Sequence, residues 1–211
     1  MIELNIESHP LLDAAVFVTE FQDALGNLSS VAEFAQCFSL ETPAPIQSCD
    51  EVRVAVRELL RQDGFKPTGR NKPAAEYLIR AAAEQRLASI NPAVDFCNIV
   101  SLHSGLPISV VDLAKTTAPL SVKVAPAPSS YVFNPSGQEI EIGHLLALFD
   151  QQGACATAVK DSQRTKTSPD TKTTLSLIWG TRQLEGRTEK SMTWYRQLLA
   201  SFGAQTFDVP V

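Results

Sequence analysis

The run INPAVDFCNIVSLHSGLPISVVD, residues 90–112, decides the fold. Asn91 precedes Pro92, a residue suited to a first helical turn, and Gly105 stands where a helix stops, so the spacing predicts a helix over residues 91–105. After Gly105, Leu106 and Pro107 the pattern changes, and ISVVDL reads as a β-strand. Within the helix Asp95, Asn98 and Ser101 recur every three residues, a polar seam beside apolar Val94, Cys97 and Leu102. Such a seam needs partners, because buried polar groups are hydrogen-bonded.

Working outward, residues 14–21 (AAVFVTEF) read as an early buried strand. From Ser48 an amphipathic helix is predicted: Val52, Val56, Leu59 and Leu60 share a face, Asp50 and Glu51 suit its first turn, and Gly64 stops it. Arg53, Arg57 and Arg61 fall four residues apart on another face. The loop GFKPTGRNK (residues 64–72) gathers Lys66, Arg70 and Lys72, and a second helix starts at Pro73. Beyond residue 105, LSVKVAP, SSYVFN, LLALFD, ACATAVK and TTLSLIWG are short β-type runs separated by turns. A last helix is predicted near residues 189–202. Helices first and antiparallel-looking strands later imply an α+β fold, with helices packed on a mixed or antiparallel, barrel-like sheet. The expected organisation is one domain: an acidic flank with an early strand (1–50), a core (51–180), and a C-terminal helix and tail (181–211).

The 211 residues are 44% apolar and 19% charged, a soluble globular composition large enough for a real core. The net charge of −5 is unevenly spread. Residues 1–50 hold eight acids and no Lys or Arg, which leaves the remainder at +3. From Val52 to Lys72 the local balance is +4, a candidate phosphate-binding surface that Arg164 and Lys166 extend. The bland alternative is a solvated helix face. Cys37, Cys49, Cys97 and Cys155 form no CxxC pair and have no nearby His set, so they read as buried thiols in a reducing compartment, without metal. No basic leader or spanning segment is visible, and a cytoplasmic protein is expected. Phosphate-cradling, dinucleotide and zinc-protease motifs are also missing, so no cofactor is expected.

The central run is similar to the B3/B4 module of the bacterial phenylalanyl-tRNA synthetase beta subunit. Asn91, Val94, Asp95, Asn98, Val100, Leu102, Gly105, Pro107 and Asp112 match that module's string, nine positions over 22 residues. The likeness continues through SVKVAP and LLALFDQQGACA, where Asp150 and Gly153 stand at an acid and a turn. GFKPTGRNKPAAEYLIRAAAEQ and KDSQRTKTSPDTKTTL resemble free-standing versions. The likeness spans residues 52–180. It implies an editing-type domain that binds aminoacylated tRNA and hydrolyses a mischarged ester in trans, without a metal and without charging tRNA itself. His103 departs from the synthetase, which tends to carry Glu there, and the synthetase's editing histidine has no clear counterpart.

Ester hydrolysis needs an oriented ester, a placed water and oxyanion stabilisation. His103, Asn98 and Ser101 are the candidate catalytic groups, His103 as a general base near neutrality. Asp95, Gly105, Asp112, Asp150 and Ala154 are candidate pocket residues, and Arg57, Arg61, Lys66, Arg70, Lys72, Arg164 and Lys166 candidate RNA contacts. Against each stands a structural role: Asp95 and Asn98 satisfying backbone groups, Gly105 as a helix stop, and Asp112 and Asp150 as turn caps. Two alternatives remain: a non-catalytic module of the same fold that binds RNA or an amino-acid-like ligand, and a hydrolase of an unrelated small ester.

Overall fold

The computed structural model describes residues 2–29 and 31–210. Two strands come first, β1 (Leu4–Ile6) and β2 (Leu12–Glu20). Three helices follow: α1 (Asp50–Arg61), α2 (Ala74–Ala83) and α3 (Pro92–Ser104). Then come β3 (Ile108–Asp112), β4 (Leu120–Val124), β5 (Ser130–Val132), β6 (Glu139–Glu141), β7 (Leu146–Asp150), β8 (Gly153–Thr157) and β9 (Thr173–Thr181). The chain ends in α4 (Arg187–Ser201) and β10 (Gln205–Asp208).

The strands form one four-stranded sheet in the order β1-β4-β7-β8, a second in the order β10-β2-β9-β3, and a β5-β6 hairpin. In the first sheet β1 runs parallel to β4 and the rest is antiparallel; the second is antiparallel throughout. The fold is α+β, as the sequence predicts. None of these sheets closes on itself among the described residues, so separate open sheets stand where one barrel-like sheet was expected. The acidic N-terminal segment contributes a strand to each four-stranded sheet: β2 lies between β10 and β9, and β1 edges the other sheet.

Alternation along β9 explains how the layers meet. Leu175, Leu177 and Trp179 share one face with period two, and Ser176 and Gly180 point to the other. On that other face the Tyr195 hydroxyl of α4 lies 3.3 Å from Ser176 Oγ, and a Cβ added at Gly180 would collide with Thr188. Thus α4 packs tightly against β9 because position 180 lacks a side chain. Both faces of β9 are buried, which is why its sequence is almost uniformly apolar or small.

The helix α3 is buried along nearly its whole length, packed against α2, α4 and β3. Asn91 caps it: its carboxamide oxygen accepts the Val94 N–H, and Pro92 occupies the first turn. Gly105 ends it in the left-handed conformation, with φ 70°. A Cβ there would stand 2.9 Å from Val52 Cγ1 and 3.1 Å from Ser48 Cβ, so strain and collision with α1 coincide. Gly105→Ala is expected to destabilise the protein by about 1–3 kcal/mol, measured by urea unfolding; an unchanged midpoint would show that α1 yields freely.

Candidate functional site

Off the free edge of β3 lies a cavity of about 560 Å³, within the size range of small-molecule sites. Helix α2 supplies Ala74, Tyr77 and Leu78 to it, and α3 supplies Val94, Cys97 and Asn98. Ile108 and Val110 of β3 form another wall. The segment after β5 contributes Phe133 and Asn134, and the chain between β8 and β9 contributes Val159, Lys160, Asp161, Lys166 and Thr167. The walls are largely apolar, with a few polar groups converging on the space.

The most constrained of these groups is Asp161. Its Oδ1 accepts a hydrogen bond from Ser109 Oγ at 2.7 Å, and Ser109 in turn accepts from the indole Nε1 of fully buried Trp179 at 2.9 Å. Because the indole can only donate, the serine accepts from it and donates its own hydrogen toward Asp161, with the Thr157 carbonyl, 3.3 Å away, as a second acceptor. Asp161 keeps partial access to the cavity but is enclosed on its other sides. That desolvation raises its carboxyl to about 7, against the opposing pull of Ser109, Lys166 and the backbone at Val110 and Thr157. An acid poised near neutrality in a cleft is a marker of functional sites.

Two lysines flank it. Lys166 Nζ donates to the Phe133 carbonyl at 2.5 Å, and Lys160 Nζ sits 3.9 Å from the Phe133 ring centroid. Burial lowers both ammonium pKa values; Arg70 and Lys166 add to the effect at Lys160, and Asp161 opposes it at Lys166. The Asn98 side chain faces the cavity without a hydrogen-bond partner among the described residues. Asn91 Nδ2 donates to Thr167 Oγ1 at 3.2 Å, tying the start of α3 to the opposite wall. Cys97 is a poor nucleophile here, because burial pushes its thiol up, reinforced by the Asp161 charge.

The polar seam on α3 does not act as a unit. Each three-residue step rotates the side chain back by about 60°, so Asp95, Asn98 and Ser101 diverge. Only Asn98 reaches the cavity. Ser101 Oγ donates to the Leu106 carbonyl at 2.7 Å, securing the turn after the helix. Asp95 accepts from Ser89 Oγ and the Ile90 N–H; burial raises its carboxyl and those bonds oppose the shift. His103 faces the other way, edge-on to Trp194, and its Nε2 donates to the Cys37 carbonyl at 2.9 Å. Burial lowers its pKa, and that bond opposes the shift.

The other expected pocket residues also lie outside this cavity. Gly105 is the helix stop. Asp112 accepts from the Ala114 N–H and from Thr171 Oγ1, a turn cap. Ala154 pairs with Phe149 across the β7-β8 ladder. Asp150 is bound by both arms of Arg164. Burial works against its ionisation, but Arg164 and the N–H groups of Thr117 and Gln152 outweigh it and hold its carboxyl low. Arg164 is therefore engaged in an ion pair. So is Arg57, which grips Glu76 of α2 through two hydrogen bonds of 2.6 Å. Arg61, Lys66 and Arg70 stand exposed and Lys72 half-buried; Arg70 is close enough to act on the Lys160 ammonium, whereas Lys166 lines the cavity itself. Of the four cysteines, all free, Cys97 and Cys155 are buried, Cys37 is intermediate and Cys49 is exposed, contrary to the uniform burial expected.

Among the described residues no cluster of three His, Cys, Asp or Glu is placed to hold a metal, and no helix is long and apolar enough to cross a membrane. The family model described as the B3/4 domain matches residues 65–198, most of the chain. The chain belongs to the B3/4 domain family. No curated protein matches it in sequence. Among solved structures it is similar to an N-terminal fragment of the phenylalanyl-tRNA synthetase beta-subunit from Pyrococcus horikoshii, with a TM-score of 0.52 at 10% identity. That match covers 97% of this chain and 50% of the fragment, so the chain spans about half its length. A second, the TILS C-terminal domain, overlaps 36% of this chain and 71% of its own, at 15% identity and a TM-score of 0.32.

Within this B3/4 domain, Asp161, Ser109, Trp179 and Lys160 escaped the sequence reading. Lys160 and Asp161 follow directly on ACATAV, where a strand ends and a charged pair begins. That abrupt change was the available signal. Ser109 gave none, since a serine in ISVVD reads as ordinary strand alternation, and its partner Trp179 lies 70 residues away.

Proposed function

We propose that this B3/4 domain binds the aminoacylated end of a tRNA and hydrolyses a mischarged aminoacyl ester in trans. The observation that carries the reading is the Asp161 carboxyl, held by Ser109 in a largely apolar cavity beside two lysines. The apolar walls take the amino-acid side chain. Ionised Asp161 accepts a proton from water, whose oxygen attacks the ester carbonyl, and Asn98 orients that water or the carbonyl. The Lys160 and Lys166 ammoniums favour the developing oxyanion. Collapse breaks the bond to the ribose oxygen, which takes the proton back from Asp161. The exposed Arg61, Lys66 and Arg70, with Lys72, hold the phosphates of the same RNA.

A second reading is a non-catalytic module for RNA or an amino-acid-like ligand. It is favoured by the described cavity lining offering no nucleophile paired with a base: Ser109, bonded to Asp161, is buried outside the lining, Ser101 and His103 point elsewhere, and burial pushes the Cys97 thiol up.

Deacylation of a panel of mischarged tRNAs, including tyrosine on the phenylalanine tRNA, separates the two. Turnover is expected to rise with pH and level off above about 7, because the base must be ionised. Asp161→Asn should lower it by about 10²-fold or more and remove the pH limb, and Asn98→Ala should lower it by about tenfold. No turnover on any tRNA retires hydrolysis and leaves the binding module.

RNA binding has its own check in the salt dependence of affinity. Arg70→Ala with Lys72→Ala is expected to flatten the slope of log K against log salt by about 0.7–0.9 per lost phosphate contact. A slope unchanged by both substitutions removes this loop from the interface.

A further inference from the structure

A second cavity, about 470 Å³, opens on the far side of Asn91. It shares Ile90, Asn91 and Thr167 with the first cavity, so the two are compartments of one groove. The Asn91–Thr167 hydrogen bond crosses the neck between them. The compartments differ in chemistry. The first contains Asp161, Lys160 and Lys166; the second has no ionisable side chain in its lining, where the apolar Leu25, Leu28 and Pro169 face the polar but uncharged Ser89, Asn91 and Ser168.

One wall of this second compartment comes from outside the family match. The turn at residues 25–28 is sewn to the chain before β9 by two backbone hydrogen bonds, from the Gly26 N–H to the Pro169 carbonyl at 2.8 Å and from the Leu25 N–H to the Thr171 carbonyl at 2.9 Å. The approach is so close that a Cβ at Gly26 would lie 2.8 Å from Pro169 Cβ. The N-terminal segment thus supplies a built surface of the groove, in a chain whose B3/4 match begins only at residue 65.

We infer that the compartment walled by Leu25, Leu28, Pro92 and Pro169 binds the nucleobase of the nucleotide whose acyl group occupies the first cavity. The inference rests on the proposed function. An aminoacyl ester joins its acyl group to the sugar of a single nucleoside, so a pocket for the former requires a neighbouring place for the latter. A neutral planar base suits a compartment without ionisable groups, whereas the phosphates belong with exposed cations such as Arg70. Leu25 and Leu28 then discriminate between a nucleoside ester and any other ester with the same acyl group.

Calorimetry with hydrolysis-resistant probes tests this. The probes are 3′-aminoacylamino-3′-deoxyadenosines bearing a range of small, apolar and hydroxylated side chains, each paired with the same compound lacking its base. The adenosine compound is expected to bind about tenfold or more tightly than its base-free partner. Leu28→Trp, which fills the compartment, should erase that advantage while leaving base-free affinity unchanged, and Leu28→Ala should reduce it. Equal binding of both probes to the wild type, or an equal loss of both in Leu28→Trp, overturns the nucleobase site and leaves the first cavity's role standing. Failure of the wild type to bind any probe overturns both readings.

Discussion

The hydrogen-bond chain Trp179–Ser109–Asp161 is the constraint on which the rest of the site depends. It joins β9 and β3 of one sheet to the chain leaving β8 of the other. A buried indole, serine hydroxyl and carboxyl, each matched to the next, cost little together but would each be expensive alone. The same bonds that satisfy these polar groups aim the carboxyl at the cavity. Fold and candidate chemistry therefore share one set of contacts, and the acid's raised pKa is a consequence of where the two sheets meet.

Much of the fold was legible in the sequence because it is encoded locally. The apolar face of α1, the cap and stop of α3 at Asn91 and Gly105, and the alternation or small-residue runs of β3, β4, β7, β8 and β9 all lie within short windows. Closure was not: whether strands close into a barrel or split into two sheets depends on pairings such as β1 with β4, between residues far apart in the chain. The central position of β2 was hidden for the same reason, since its partners β9 and β10 come at the opposite end.

The site was less legible, and the reason is geometric. A serine and a histidine three and five residues after Asn98 looked like parts of one pocket, but helical rotation sends Ser101 to the turn and His103 to the carbonyl of Cys37. The basic residues carried pairings that were hidden in a similar way. Arg57 lies in an attractive row, yet Glu76 on the next helix neutralises it, and Arg164 is spent on Asp150. What sequence inspection could not supply was pairing across the fold, which separates a committed cation from a free one. The resemblance to the synthetase module drew the eye to α3, which lines the cavity with Val94, Cys97 and Asn98, while Asp161, Ser109 and Trp179 came from the structure.

The central claim is that Asp161 is a carboxyl poised near neutrality by its seat between the sheets. It is tested most directly by following the Asp161 side-chain carboxyl carbon by NMR as a function of pH, assigned by comparison with Asp161→Asn. A titration midpoint of about 7 is expected. A midpoint near 4, the ordinary range for an exposed aspartate, would contradict the account.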